Sequence, residues 1–161
     1  MKVLYNDGHV ADIAPEEELH VIRHSASHIL AQAIKRLYPE ADFGYGPATD
    51  NGFYYDIDLP EGVKISEDDF PQIEAEMAKI CKENLKFETY ELPRAEAIAH
   101  MQERGEKYKV EHIGDLAEDA RITFYKQGEY VDMCVGPHLM YTKALKAFKV
   151  TAVSGAYWKG D

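Results

Sequence analysis

A chain of 161 residues, 45% hydrophobic and 29% charged, has the composition of one soluble globular domain with a proper core. No apolar h-region follows Met1 and no apolar run is long enough to span a bilayer, so a cytoplasmic protein with reduced cysteines is expected. The net charge of −11, from 29 acidic against 18 basic side chains, argues against a general attraction to polyanions.

Short apolar stretches at residues 2–5 and 9–13 flank Asn6-Asp7-Gly8, a turn signal that predicts a small hairpin. Pro15 opens a helix from Glu16 to about Leu37, with an apolar stripe through Val21, Ala26, Ile29, Leu30, Ala33 and Ile34, and Pro39 stops it. His24 and His28 fall at the edge of that stripe, next to the core yet able to face a cleft. Residues 43–47 and 53–57 read as two strands joined through Thr49-Asp50-Asn51-Gly52, with Gly44 and Gly46 leaving room beside a ligand. Ser66 and the acidic residues after it predict the start of a helix reaching Asn84, with Phe70, Ile73, Met77 and Ile80 inward. Cys81, on the apolar side of that helix, is expected to be a small buried hydrophobe. Leu85–Leu92 alternates as a strand, and Pro93–Arg104 fits a helix with Pro at its first position and Gly105 just past its end. The last third reads as mostly β, with strands over 121–126, 130–134 and 148–157. Helices and strands do not alternate strictly, so the expected fold is a single α+β domain whose antiparallel or mixed sheet packs with helices around a cleft.

Two residue pairs carry chemistry. His24 and His28, four apart on a helix, stack two imidazoles on one face. Cys134 and His138 flank Val135-Gly136-Pro137, a bend that lets a thiol and a third imidazole point the same way. Four such ligands suit a tetrahedral zinc centre or a thiol/imidazole hydrolytic site without metal, and spacing does not separate the two. One such histidine pair among 7 histidines is unsurprising alone. The joint occurrence with a Gly-Pro-His turn, which packing does not require, is what marks the site. Lys35-Arg36 and, after the turn, Lys143, Lys146 and Lys149 would hold one nucleic-acid end if they flanked the same cleft; an ordinary solvated charge distribution is the plainer reading.

Five segments in order carry a resemblance: His24-Ser-Ala-Ser-His28, Asp50-Asn-Gly-Phe-Tyr-Tyr-Asp56, Arg104-Gly-Glu-Lys-Tyr-Lys109, Tyr130-Val-Asp-Met-Cys-Val-Gly-Pro-His138 and Gly155-Ala-Tyr-Trp-Lys-Gly-Asp161. Together they resemble the N-terminal editing domain, the second additional domain, of bacterial threonyl-tRNA synthetase. The resemblance covers residues 18–161, and residues 1–17 stand outside it as an N-terminal hairpin or extension. Aminoacylation motifs are absent, so the chain resembles an editing domain cut from a longer enzyme, a cytoplasmic ATP-binding ligase expected to be a homodimer.

The resemblance implies hydrolysis of serine wrongly esterified to threonine tRNA. A site built for threonine discriminates against a substrate lacking one methyl by only about 1–3 kcal/mol, so a second sieve is needed. The implied partners are the 3′ acceptor end of threonine tRNA and the rest of the synthetase, with no membrane. By the same resemblance His24, His28, Cys134 and His138 line the pocket, and Lys109 activates water or transfers a proton. Tyr55 packs by the adenosine or amino acid, Gly46 and Asn51 border the substrate, and Asp132 anchors the serine ammonium. No cofactor is implied for editing, although zinc at the His/Cys cluster remains open. Read alone, Lys109 is one of 18 basic residues, and Tyr55 and Asp132 are strand residues of unknown facing. Two rival readings stand beside this one. Editing domains of alanyl-tRNA synthetase share both residue pairs and use zinc, and a non-catalytic module would hold a structural zinc while binding the acceptor end.

Overall fold

The computed structural model describes residues 1–154. Its central element is α1 (Glu18–Leu37), buried on all sides from Ser25 to Ile34. Ser25, Ala26, Ser27, Ala31 and Ala33 are small enough for neighbouring backbones to approach that stretch closely, as a helix buried all round requires. Several of its polar groups bond the segments packed against it. Ser25 Oγ accepts the Leu139 N–H at 2.9 Å, Gln32 donates to the Gln127 carbonyl at 3.2 Å, and Gln127 donates to the His28 carbonyl at 3.1 Å.

The main sheet is antiparallel, with β8 (Arg121–Gln127) between β7 (Phe87–Pro93) and β9 (Tyr130–Met133). Alternation along a strand sends successive side chains to opposite faces. On one face Ile122, Phe124 and Val131 pack with Ala97 and Met101 of α3 (Arg94–Glu103) and Ile113 of α4 (Lys107–Gly114). On the other, Phe87, Tyr125 and Tyr130 join the core of α1 and α2 (Phe70–Glu83). Three smaller antiparallel units complete the fold. β1 (Lys2–Leu4) lies between β2 (Val10–Asp12) and β10 (His138–Leu139), β3 (Asp42–Phe43) pairs with β6 (Ile57–Asp58), and β4 (Ala48–Thr49) pairs with β5 (Gly52–Phe53). The result is the expected α+β domain. Among the described residues no helix is long and apolar enough to cross a membrane.

The helix signals act as expected: Ser66 and Asp69 form a capping box ahead of α2, Asn84 ends that helix in the left-handed region, and Gly105, at φ +75°, follows α3. Three features depart from the sequence reading. The eight-residue helix α4 is too short to show a clear periodicity, and it starts directly after the Gly105 turn. Residues 148–154 form no strand; the Val150 N–H goes to Glu74 Oε2 at 3.0 Å, a side-chain acceptor in place of a ladder. The remainder of that expected strand, and the motif at 155–161, lie outside the described residues. Finally, Arg36 belongs to no free basic patch. Its guanidinium bonds Glu83 at 2.7 and 3.0 Å, Glu129 at 2.7 Å and Glu76 at 3.2 Å, while Lys35 donates to the Ala41 carbonyl at 3.0 Å.

Glu106, just before α4, is an interior charge that the sequence reading passed over. It is 8% exposed and lies 3.8 Å from Lys35. Burial pushes its carboxyl up to about 7, against the pull of Lys35 and Lys109. A carboxyl raised in the folded state binds protons that the unfolded chain has released, so stability is lost as pH rises from 4.5 towards 7. Glu106→Gln should therefore be more stable than the parent at about pH 8, by on the order of 1–3 kcal/mol, with the gain vanishing below about pH 4.5 in paired thermal melts. Leu139, fully buried and paired with Val3, tests the packing of the N-terminal hairpin. Leu139→Ala should cost about 2–5 kcal/mol, seen as a lower urea midpoint at unchanged slope.

Candidate active site

The strand β9 delivers one charged residue to the α1 side of the sheet. Val131 and Met133 face the α3 cluster, so the alternation turns Tyr130 and Asp132 towards α1. Asp132 is 3% exposed, and its carboxylate is surrounded. Lys109 Nζ, from α4, sits 2.8 Å from Oδ1, the Tyr55 hydroxyl donates to Oδ2 at 2.5 Å, and His28 Nδ1 lies 3.4 Å from Oδ2. Lys109 also donates to the Gly44 carbonyl at 2.6 Å and to the Tyr55 oxygen at 2.9 Å. Burial pushes the Asp132 carboxyl up, but Lys109 and His28 outweigh it and hold the group below the ordinary carboxylate range.

Next to this ion pair the two residue pairs meet. One ligand atom from each of His24, His28, Cys134 and His138 can be chosen so that all lie within 4.8 Å of one another. His24 Nε2 is 3.0 Å from Cys134 Sγ, and His28 Nε2 is 3.0 Å from His138 Nε2. The four are carried by three elements. α1 supplies the histidine pair, Cys134 follows β9 with its N–H on the Thr123 carbonyl at 3.0 Å, and His138 begins β10, paired with Leu4. His28 and His138 are fully buried, whereas His24 and Cys134 are partly open. The Tyr125 ring packs on the His138 ring with centroids 3.8 Å apart, and Phe87 lies 5.9 Å away.

Burial sets the charge of this group. It lowers His28 to about 4, lowers His24, and takes His138 well below the ordinary imidazole range, where neighbouring histidines add to the effect. Burial and the Asp132 charge push the Cys134 thiol up to about 12. The cluster is therefore three neutral imidazoles and a protonated thiol beside a buried ion pair. Neutral imidazole nitrogens can accept a proton from water or hold a cation. The donor set suits zinc: with Zn–N near 2.0–2.1 Å and Zn–S near 2.3 Å, a tetrahedral ion needs its ligands roughly 3.3–3.7 Å apart. Asp132 near His28 Nδ1 stands where a carboxylate orients a metal-bound histidine.

The other expected site residues are placed differently. The space beside Gly46 holds protein, since an added Cβ would come 2.1 Å from the Tyr55 ring; the Gly46 carbonyl accepts the Ser27 hydroxyl at 2.6 Å. Gly46 thus admits Tyr55, which in turn reaches Asp132. Asn51 sits in the exposed turn between β4 and β5, its N–H held by Thr49 Oγ1 at 3.3 Å. Asp132 already has its cation in Lys109, so a substrate ammonium would compete for an engaged carboxylate. Sequence reasoning missed Tyr125, the platform under His138, because a strand aromatic reads as core until its facing is known.

Comparison with known proteins adds an independent view. The family model described as "Threonyl and Alanyl tRNA synthetase second additional domain" matches residues 122–161. The threonine–tRNA ligase of Clostridioides difficile (strain 630) is 58% identical over 146 residues, 91% of this chain and 22% of that protein. That of Clostridium acetobutylicum is 60% identical over 140 residues, 87% of this chain and 22% of that protein. That of Clostridium botulinum aligns over 163 residues at 47% identity, covering 100% of this chain, the N-terminal hairpin included, and 25% of that protein. The chain spans a quarter or less of the length of these relatives. Identity across nearly the whole chain shows that it corresponds to a segment of threonyl-tRNA synthetases, and over residues 122–161, which hold Asp132, Cys134 and His138, the matching family model is that of their second additional domain.

Proposed function

We propose that this domain hydrolyses serine wrongly esterified to threonine tRNA, as the editing unit of a cytoplasmic threonyl-tRNA synthetase. Residues 18–161 carry the site and residues 1–17 complete its sheet. The observation that carries the reading is the convergence of three neutral imidazoles and a thiol on a buried Lys109–Asp132 pair. An aminoacyl ester is already activated, so one positioned water with a base and an acid suffices. His24 is neutral and partly open, and it takes the proton as water attacks the ester carbonyl. Lys109, ion-paired to Asp132, offers positive charge and a proton for the 3′ oxygen that leaves. Tyr55 and Asp132 shape the floor on which the serine sits, and Gly46 keeps Tyr55 in place. Cys134, with its thiol held protonated, lines the pocket and does not attack. Refusal of the threonine methyl is what would make the site a second sieve.

The same four donors favour a second reading, a zinc-dependent deacylase of the alanyl-editing kind. Zinc content of protein purified without chelators separates the two, with about one retained equivalent favouring the second. For the first reading, the unmodified protein should deacylate seryl-tRNA and spare threonyl-tRNA in parallel assays. Under single-turnover conditions Lys109→Ala should slow seryl release by about 100-fold or more, and Cys134→Ser by less than about tenfold. Normal deacylation by the lysine variant, or a seryl thioester trapped on Cys134, would make the thiol the nucleophile instead.

A further inference from the structure

Two of the four clustered side chains, Cys134 and His138, sit at the ends of a tight bend, Val135-Gly136-Pro137, between β9 and β10. Pro137 has no N–H to donate. The N–H of Gly136 must therefore hold the bend, and its acceptor comes from the opposite end of the chain: Asn6 Oδ1, 130 residues away, at 2.6 Å. The same oxygen accepts the Tyr125 hydroxyl at 2.6 Å. Because a backbone N–H can only donate, the carboxamide oxygen has to face inward, and both of its lone pairs are used. Gly136 is closely enclosed there. A Cβ at that position would lie 2.2 Å from the Tyr125 hydroxyl and 3.2 Å from Asn6 Oδ1.

We infer that Asn6, in the turn of the N-terminal hairpin, is a positioning residue for the site: one oxygen clasps the bend bearing Cys134 and His138 to the tyrosine against which His138 packs. The pairing of Leu4 with His138 brings the hairpin to that place, so the clasp and the strand act on the same residue from two sides. Without the Asn6 oxygen, the Gly136 N–H and the Tyr125 hydroxyl both lose the acceptor that joins them. The backbone of Cys134 then keeps its N–H on the Thr123 carbonyl, while the bend that follows it is released. The activity part of this inference rests on the deacylase reading; the structural part does not.

The test compares Asn6→Ala with Asn6→Asp, which keeps an acceptor oxygen at the same reach. Two rates are read on the whole chain: alkylation of Cys134 by iodoacetamide, distinguished from Cys81 by peptide mapping, and single-turnover deacylation of seryl-tRNA. In Asn6→Ala, alkylation should quicken several-fold and deacylation fall on the order of 10- to 100-fold, as for a group displaced by about 1 Å. Asn6→Asp should restore both towards the parent. Unchanged alkylation in Asn6→Ala overturns the clasp. If the parent itself fails to deacylate, the functional reading falls while alkylation still decides the role of Asn6. Should Asn6→Ala not fold, Tyr125→Phe removes one of the two hydrogen bonds and keeps the ring on His138. Faster alkylation in that variant supports the clasp, and an unchanged rate overturns it.

Discussion

Asp132 carries a negative charge to a position from which water is nearly excluded, and a buried carboxylate is tolerated only with an ion-pair partner and hydrogen bonds around it. Those partners come from separate parts of the chain. Lys109 arrives on α4, the Tyr55 hydroxyl comes from the segment after β5, and His28 from α1. Lys109 is itself completed by the Gly44 carbonyl. Each of these segments must stop where its group reaches the carboxylate, so the need to satisfy one charge aligns the helix layers with the sheet. Removing one member of such a pair leaves the other buried and uncompensated, a loss of about 3–5 kcal/mol. The ion pair is thus a structural element as well as a chemical one.

The histidine cluster sits where two opposed effects meet. The Asp132 charge favours protonated imidazoles, and desolvation disfavours them; desolvation is the larger effect at His24 and His28 alike. The thiol is treated in the opposite sense by the same surroundings, because burial and the nearby carboxylate both oppose a thiolate. What emerges is a group of lone pairs rather than a group of charges. Such a group can receive a proton or hold a divalent cation, and the partial exposure of His24 and Cys134 gives it a route to solvent.

The negative net charge bears on how a nucleic-acid end would be met. The cation at the end of α1, Arg36, is bound to three glutamates and ties that helix to α2 and to the β8–β9 turn. Its role is to close the fold, through charge-assisted and partly bidentate hydrogen bonds. A chain of this charge gains little long-range attraction for tRNA by itself. The relatives that it matches are about four times longer or more.

Local order was readable from residues alone wherever neighbours in sequence are also neighbours in space. The apolar period of α1, the capping box at Ser66, the glycine after α3 and the Asn6-Asp7-Gly8 turn each act within a few residues, and each is found. The histidine pair was legible for the same reason, since an i,i+4 spacing fixes a shared helix face. Other relations were decided by packing. Whether Asp132 faces the site or the second core depends on the register of β9 and on which face α1 covers. The Lys109 partner depends on a helix too short to announce itself. The space at Gly46 belongs to Tyr55 rather than to a ligand, and the hairpin of residues 1–17, outside every recognised motif, becomes part of the site through β10 and Asn6. These are contacts between segments remote in the chain, and residue types and spacing do not specify which remote groups will meet; only closing the chain around a shared core does.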